Sequence, residues 1–222
     1  MRFLVEIEGP LFDVASAYFA AHQAAATIMG WSRLDRGTFW RLYRTKGRDA
    51  DFLPGAKPVK IAEHQRRFEE RIESNELTGT MQPQPAIADV LGKLLRHGPC
   101  HAVTLGANLV ARREAMERGG LLGRFGRVEH LNADPRCRPA ELRALAEGDS
   151  RAIVIAGTDA LVRAAQSAEL FAVGVSNGPC AAARLHQAGA SVVYKALAEL
   201  VDSLQRGAPD LVKAGLLPMS FG

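Results

Sequence analysis

Two hydrophobic periods run along this chain and exchange at identifiable points. The first apolar run, Phe3-Leu4-Val5 with Ile7, is too short for a helix and reads as a buried strand ended by Gly9-Pro10. Glu6 and Glu8 stand two apart near its carboxyl end, so both project to the same side. Open α/β sheets place their ligands at that end of the strands. Carboxylates there need a partner, a proton or water. Beyond Asp13 the spacing becomes helical. Asp13 is the expected cap of a helix reaching about Met29 and stopped by Gly30. Further helical pieces surround 39–43 and cover 58–74, where Ile61, His64, Phe68 and Ile72 recur at helical spacing. No strand is expected between Val14 and Gln82, and Pro83 and Pro85 mark a boundary.

From Ala86 onward the two periods alternate regularly. Helices are expected at 86–96, 109–119, 139–147, 161–168, 180–187 and 196–204, and strands at 101–105, 126–131, 152–156, 170–175 and 191–194. Strands alternating with helices argue for a parallel sheet covered on both faces.

The totals narrow the class. With 222 residues, 47% of them hydrophobic, the chain suits one domain, or a domain with a small insertion, around a substantial core. A formal charge of +4 weakly favours anionic partners and does not by itself indicate nucleic acid. Cys100, Cys137 and Cys180 form no C-x-x-C pair, which suits a reduced, cytoplasmic compartment. Met1-Arg2-Phe3 leads straight into the first strand, so no signal peptide is expected. The longest uncharged run, 14–32, contains Ser16, His22, Gln23 and Thr27 and is too polar for a membrane span.

The stretch Glu6-Ile7-Glu8-Gly9-Pro10-Leu11-Phe12-Asp13 resembles the first motif of the haloacid dehalogenase-like phosphatases, a hydrophobic strand ending in D-x-D-G-T-L. Later, Gly157-Thr158-Asp159-Ala160-Leu161-Val162-Arg163-Ala164-Ala165 is similar to the family's G-D-x-x-x-D-x-x-A segment. Phe171 to Val175, Gly189-Ala190-Ser191 and Leu197-Ala198-Glu199-Leu200 continue the likeness, which reaches about Leu204 and is nearest to the phosphoglycolate phosphatase-like branch. The resemblance implies an α/β fold: a Rossmann-like core at 1–14 and 84–222, with an inserted helical cap at 15–83.

It also implies roles. The nucleophile falls on Glu6, the general acid and base on Glu8, the phosphate-binding hydroxyl on Thr104, and the cationic lysine position on Arg138. The two late metal-binding aspartates fall on Thr158 and Val162, with Asp159 one place out of register. Magnesium would be the cofactor of an active member, with Glu6, Glu8 and Asp159 its candidate ligands. Each departure works against that chemistry. Glutamate is one methylene longer than aspartate, and misplacement of roughly 1 Å can cost about 100-fold. Pro10 offers no backbone N–H to a phosphate. Arg in place of Lys is not a neutral exchange. Val162 cannot ligate a metal, and Thr158 offers only a neutral oxygen where Mg²⁺ prefers anionic ones. The expectation is therefore a catalytically inactive or severely weakened member, without tightly bound metal, that binds a small anionic ligand or a protein partner through the cleft or the cap. Neither nucleic acid nor a membrane is the expected partner. The alternative is a slow phosphohydrolase that acts on a small phosphate ester with Glu6 as nucleophile.

Two other features compete. Gly174-Val175-Ser176-Asn177-Gly178 matches G-x-S-x-G between a strand and a helix, but no acid-then-histidine order follows it, so it reads as a turning loop. Between Trp31 and Arg48, Arg33, Arg36, Arg41, Arg44, Lys46 and Arg48 face a single acid, Asp35, with Phe39, Trp40 and Tyr43 interleaved. That pattern fits either an anion-binding patch or a helix with an aromatic inner face and a solvated basic outer face.

Overall fold

A computed structural model describes residues 1–47, 49–208 and 211–212; Arg48 of the basic stretch lies outside them. Six strands form one parallel sheet. In chain order the strands are β1 (Phe3–Glu6), β2 (Phe12–Asp13), β3 (Gln82–Pro83), β4 (Cys100–Thr104), β5 (Val128–His130), β6 (Ile153–Ala156), β7 (Phe171–Val175) and β8 (Val192–Tyr194). The sheet runs β5-β4-β1-β6-β7-β8, so the first strand is central, flanked by β4 and β6.

The alternation along β1 explains that placement. Phe3, Val5 and Ile7 enter one hydrophobic core and Leu4 enters another on the opposite face. The first core packs on α6 (Ile87–Leu94), α7 (Leu109–Arg118) and α11 (Leu197–Arg206) and continues into the helices between β2 and β3 through Tyr18, Phe39, Phe52, Phe68 and Leu77. The second takes them from α8 (Arg138–Ala146), α9 (Asp159–Ser167) and α10 (Ala182–Gln187). Both faces are thus covered, as the near-continuous apolar strands require.

Five helices precede α6: α1 (Ala15–Ile28), α2 (Arg36–Thr45), α3 (Asp49–Phe52), α4 (Pro58–Ile72) and α5 (Asn75–Thr78). The chain enters and leaves them through β2 and β3, which pair antiparallel, Phe12 opposite Pro83 and Asp13 opposite Gln82. These two-residue strands escape sequence reading because no hydrophobic period fits inside them. Asp13 does not cap α1. Val14 holds the cap position, and the Asp13 carboxylate accepts from the Ala15 amide at 2.8 Å while Asp13 itself lies in β2. Among the five helices, Tyr18, Phe39, Tyr43, Phe52 and Phe68 form an aromatic cluster. His22 and His64, both fully buried, meet inside it at 3.1 Å. No helix among the described residues is long and apolar enough to cross a membrane.

Candidate functional site

Glu6 ends β1 and Glu8 lies in the turn that follows, both at the carboxyl end of the sheet and nearly without solvent exposure. A cavity of about 720 Å³ opens over them. Glu6, Glu8, Arg138 and Thr158 all line it, joined by Arg112 and Glu73, while Tyr18, Tyr43 and Phe68 contribute an aromatic wall.

The turn is compact because three glycines stack there. Gly9 has a φ of +101°; a Cβ on Gly178 would come 2.5 Å from the Gly9 Cα, and one on Gly157 would come 2.6 Å from the Glu8 carbonyl oxygen. Backbone approach this close brings the end of β6 against Glu6. Its carboxyl accepts from the Gly157 amide at 2.7 Å and the Thr158 amide at 2.9 Å, and its other oxygen lies 2.6 Å from the Thr158 hydroxyl. Burial disfavours the charge and pushes the pKa up to about 8, with Glu8 adding repulsion; the bonds from Thr158 and Gly157 pull the other way and are outweighed. Near neutral pH the group is therefore mostly protonated, and a neutral carboxyl is a poor nucleophile.

Glu8 is held differently. Its oxygens accept from the Thr104 hydroxyl at 2.8 and 3.0 Å and from Nε of Arg112. Arg112, 2% exposed, then forks onto the Glu73 carboxylate with bonds of 2.7 and 3.0 Å. Burial works against its charge, but Glu8 and Glu73 outweigh that cost and hold the pKa above its ordinary value. Gly106 makes room for the guanidinium: a Cβ there would stand 1.7 Å from Nη2. Glu73 follows α4, and Asn108 at the start of α7 reinforces the joint, its amide meeting the Glu73 carboxylate and its side chain the Glu73 carbonyl, both at 2.8 Å. One buried arginine thus ties the first strand, through Glu8, to the end of the long α4 helix.

Thr104, fully buried, spends its hydroxyl on Glu8 as donor and accepts from the Gly106 amide at 2.9 Å. Arg138 reaches the cavity from the first turn of α8 and donates to the carbonyls of Asn132 and Ala133 at 2.8 and 3.0 Å. Asp159 does not join this group. It lines a separate cavity of about 450 Å³, paired with Arg184 at 3.0 Å and Arg163 at 3.1 Å. Those two guanidiniums hold its carboxyl below the usual range despite burial. Val162 is fully buried in the second core.

These residues do not fit Mg²⁺. The Glu6 carboxyl is occupied by two backbone amides and the Thr158 hydroxyl, Glu8 already faces a guanidinium and a hydroxyl, and Asp159 is turned to two arginines. Among the described residues no three His, Cys, Asp or Glu side chains come together as a metal site. In the G-x-S-x-G loop the Ser176 hydroxyl donates to the Tyr194 carbonyl at 3.2 Å and Gly178 packs on Gly9, as suits a turning loop.

Sequence reasoning passed over Arg112 and Glu73, although both left a signal. Arg112 lies three and four residues before Ala115 and Met116, on the buried face of α7, where an arginine must find an anion. Glu73 sits at the C-cap of α4, where the helix dipole disfavours an acid unless a cation is near.

The architecture has close counterparts among solved structures. A haloacid dehalogenase-like hydrolase of Streptococcus pneumoniae superposes with a TM-score of 0.73 at 15% identity, covering 92% of this chain and 98% of the other. A protein of Haemophilus somnus described as a predicted phosphoglycolate phosphatase gives 0.67 at 13%, covering 91% and 97%. CbbY of Rhodobacter sphaeroides, solved with phosphate, gives 0.59 at 23%, covering 90% and 95%. No protein-family model and no curated protein matches the chain. The chain has the haloacid dehalogenase-like fold, with its parallel α/β core, over nearly its whole length.

Proposed function

We propose that this is a non-catalytic haloacid dehalogenase-like protein that binds a ligand or partner through its former cleft or through residues 15–83, which we read as its cap. The observation that carries the reading is mutual satisfaction within the cleft. Glu8 and Thr104, at the general acid and phosphate-binding positions, are bonded to each other, and Glu8 also to Arg112, instead of standing ready for a phosphate. Glu6 is aimed at Thr158 and held mostly neutral. Arg112 supplies, from within the chain, a positive charge beside these carboxyls. Its bond to Glu73 fastens the helical segment over the strand ends, whereas catalysis in a capped site needs opening for substrate entry and product release. Three free cysteines, with burial pushing Cys100 and Cys180 up to about 12, support a cytoplasmic location as part of the same reading.

A screen of phosphate monoesters with the full chain, with and without Mg²⁺, tests the proposal. The expected result is no turnover above a Glu6→Gln control. Mg²⁺-dependent turnover abolished by Glu6→Gln would overturn it and establish the slow phosphohydrolase.

A further inference from the structure

The basic stretch has an outcome distinct from the cleft. Arg36, Arg41 and Arg44 of α2, together with Trp40, line a groove of about 510 Å³ whose floor includes Ala15 and Ala181. Among the described residues no acidic side chain lines it. Asp13 and Asp35, the acids nearest in sequence, are turned to the backbone amides of Ala15 and Thr38. The cleft has the reverse character: among the described residues of its wall Glu8, Glu69, Glu70 and Glu73 outnumber Arg112 and Arg138. An anionic ligand meets repulsion in the cleft and attraction in the groove.

Two of the three guanidiniums are held in place with donors to spare. Arg36 donates to the Ser16 hydroxyl at 3.0 Å, and Arg44 to the Ser176 carbonyl. Each bond uses one N–H of five. Arg41 is exposed, and its guanidinium makes no hydrogen bond or ion pair among the described residues. Trp40 is half-buried and braced by Tyr43, their rings parallel to within 2° at 6.0 Å, which fixes the indole beside the arginines. Guanidiniums bind phosphate oxygens through paired N–H bonds, and an indole offers a stacking face to a flat ring. The groove has the volume of a small-molecule site. We infer that it binds a nucleotide, phosphates on Arg36, Arg41 and Arg44 and base against Trp40. This does not rest on the reading of the cleft.

The test is calorimetric titration of the full chain with adenosine diphosphate at low salt, and with tripolyphosphate as the ring-free comparison. Adenosine diphosphate is expected to bind, more weakly as salt rises. Arg41→Glu, at an exposed position, should weaken it about tenfold or more, the worth of one charge-assisted bond. Arg138→Glu, in the cleft, should leave it unchanged. Trp40→Leu should weaken the nucleotide and spare tripolyphosphate. No binding of the nucleotide at low salt overturns the inference. So does tripolyphosphate binding as tightly as the nucleotide, which would mark a bare polyanion patch. Sensitivity to Arg138→Glu but not Arg41→Glu would put the ligand in the cleft and overturn it too.

Discussion

Replacing Glu6 by Gln isolates the cost of burying that carboxyl. Glutamine matches the protonated side chain in shape: its carbonyl oxygen can accept from the amides of Gly157 and Thr158, and its NH₂ can donate to the Thr158 hydroxyl. It cannot ionise. In the wild type the carboxyl's pKa is about 8 in the fold, against an ordinary 4.5 for a glutamate in the unfolded chain. A pKa raised by folding contributes its full stability below the unfolded value and loses it as pH climbs through the folded value. Below pH 4.5 both states hold the proton, and the two proteins should differ little. Between there and pH 8 the unfolded wild type releases a proton that the folded form keeps. Each pH unit then costs the wild type about 1.4 kcal/mol relative to the variant. The advantage of Glu6→Gln should reach roughly 3 kcal/mol at neutral pH and level off on the order of 5 kcal/mol above pH 8. Urea denaturation of both proteins across this range measures it, because other titrating groups cancel in the difference. Parallel stability curves from pH 5 to 8 would refute the reasoning and mean that the three bonds keep Glu6 ionised.

The other predictions concern the arginine that pairs with Glu8 and Glu73, and the metal. Arg112→Ala leaves Glu8 buried without its cation and should destabilise the protein by about 3–5 kcal/mol, measured by the same denaturation. Gly106→Ala places a methyl on the guanidinium and should cost about 1–3 kcal/mol; in the double variant the costs should fall short of additive, since both act on one group, and full additivity would show that they do not. Mg²⁺ should leave the melting temperature unchanged. An ion at 100 times its Kd would add about 2.7 kcal/mol, a rise of several degrees that calorimetry would detect and that would contradict the charge pairing described.

Much of this protein was legible in its sequence, for a physical reason: hydrophobic period reports local structure and burial together. The apolar strands at 101–105, 152–156 and 170–175 and the helices between them could satisfy their side chains only in a covered parallel sheet. Phe3 to Ile7 stands at the centre of that sheet, its side chains divided between the two cores. Adjacent residues carry their own record of pairing, so the side-by-side placement of Glu6 and Glu8 was readable as well. Only the tertiary structure decided what those two carboxyls face. Whether an acid is neutral, ion-paired or open to a ligand depends on groups distant in the chain. Thr158 lies 152 positions from Glu6, and Arg112 lies 104 from Glu8. Asp159, adjacent in sequence to a residue of the cleft, points instead to Arg184 because helix α9 begins there and turns it away. The arginines of α2 show the same division. Their charge was plain in the sequence, but their separation from the cleft depends on which face of the helix packs inward, and that is set by Phe39, buried among aromatic rings from three other helices.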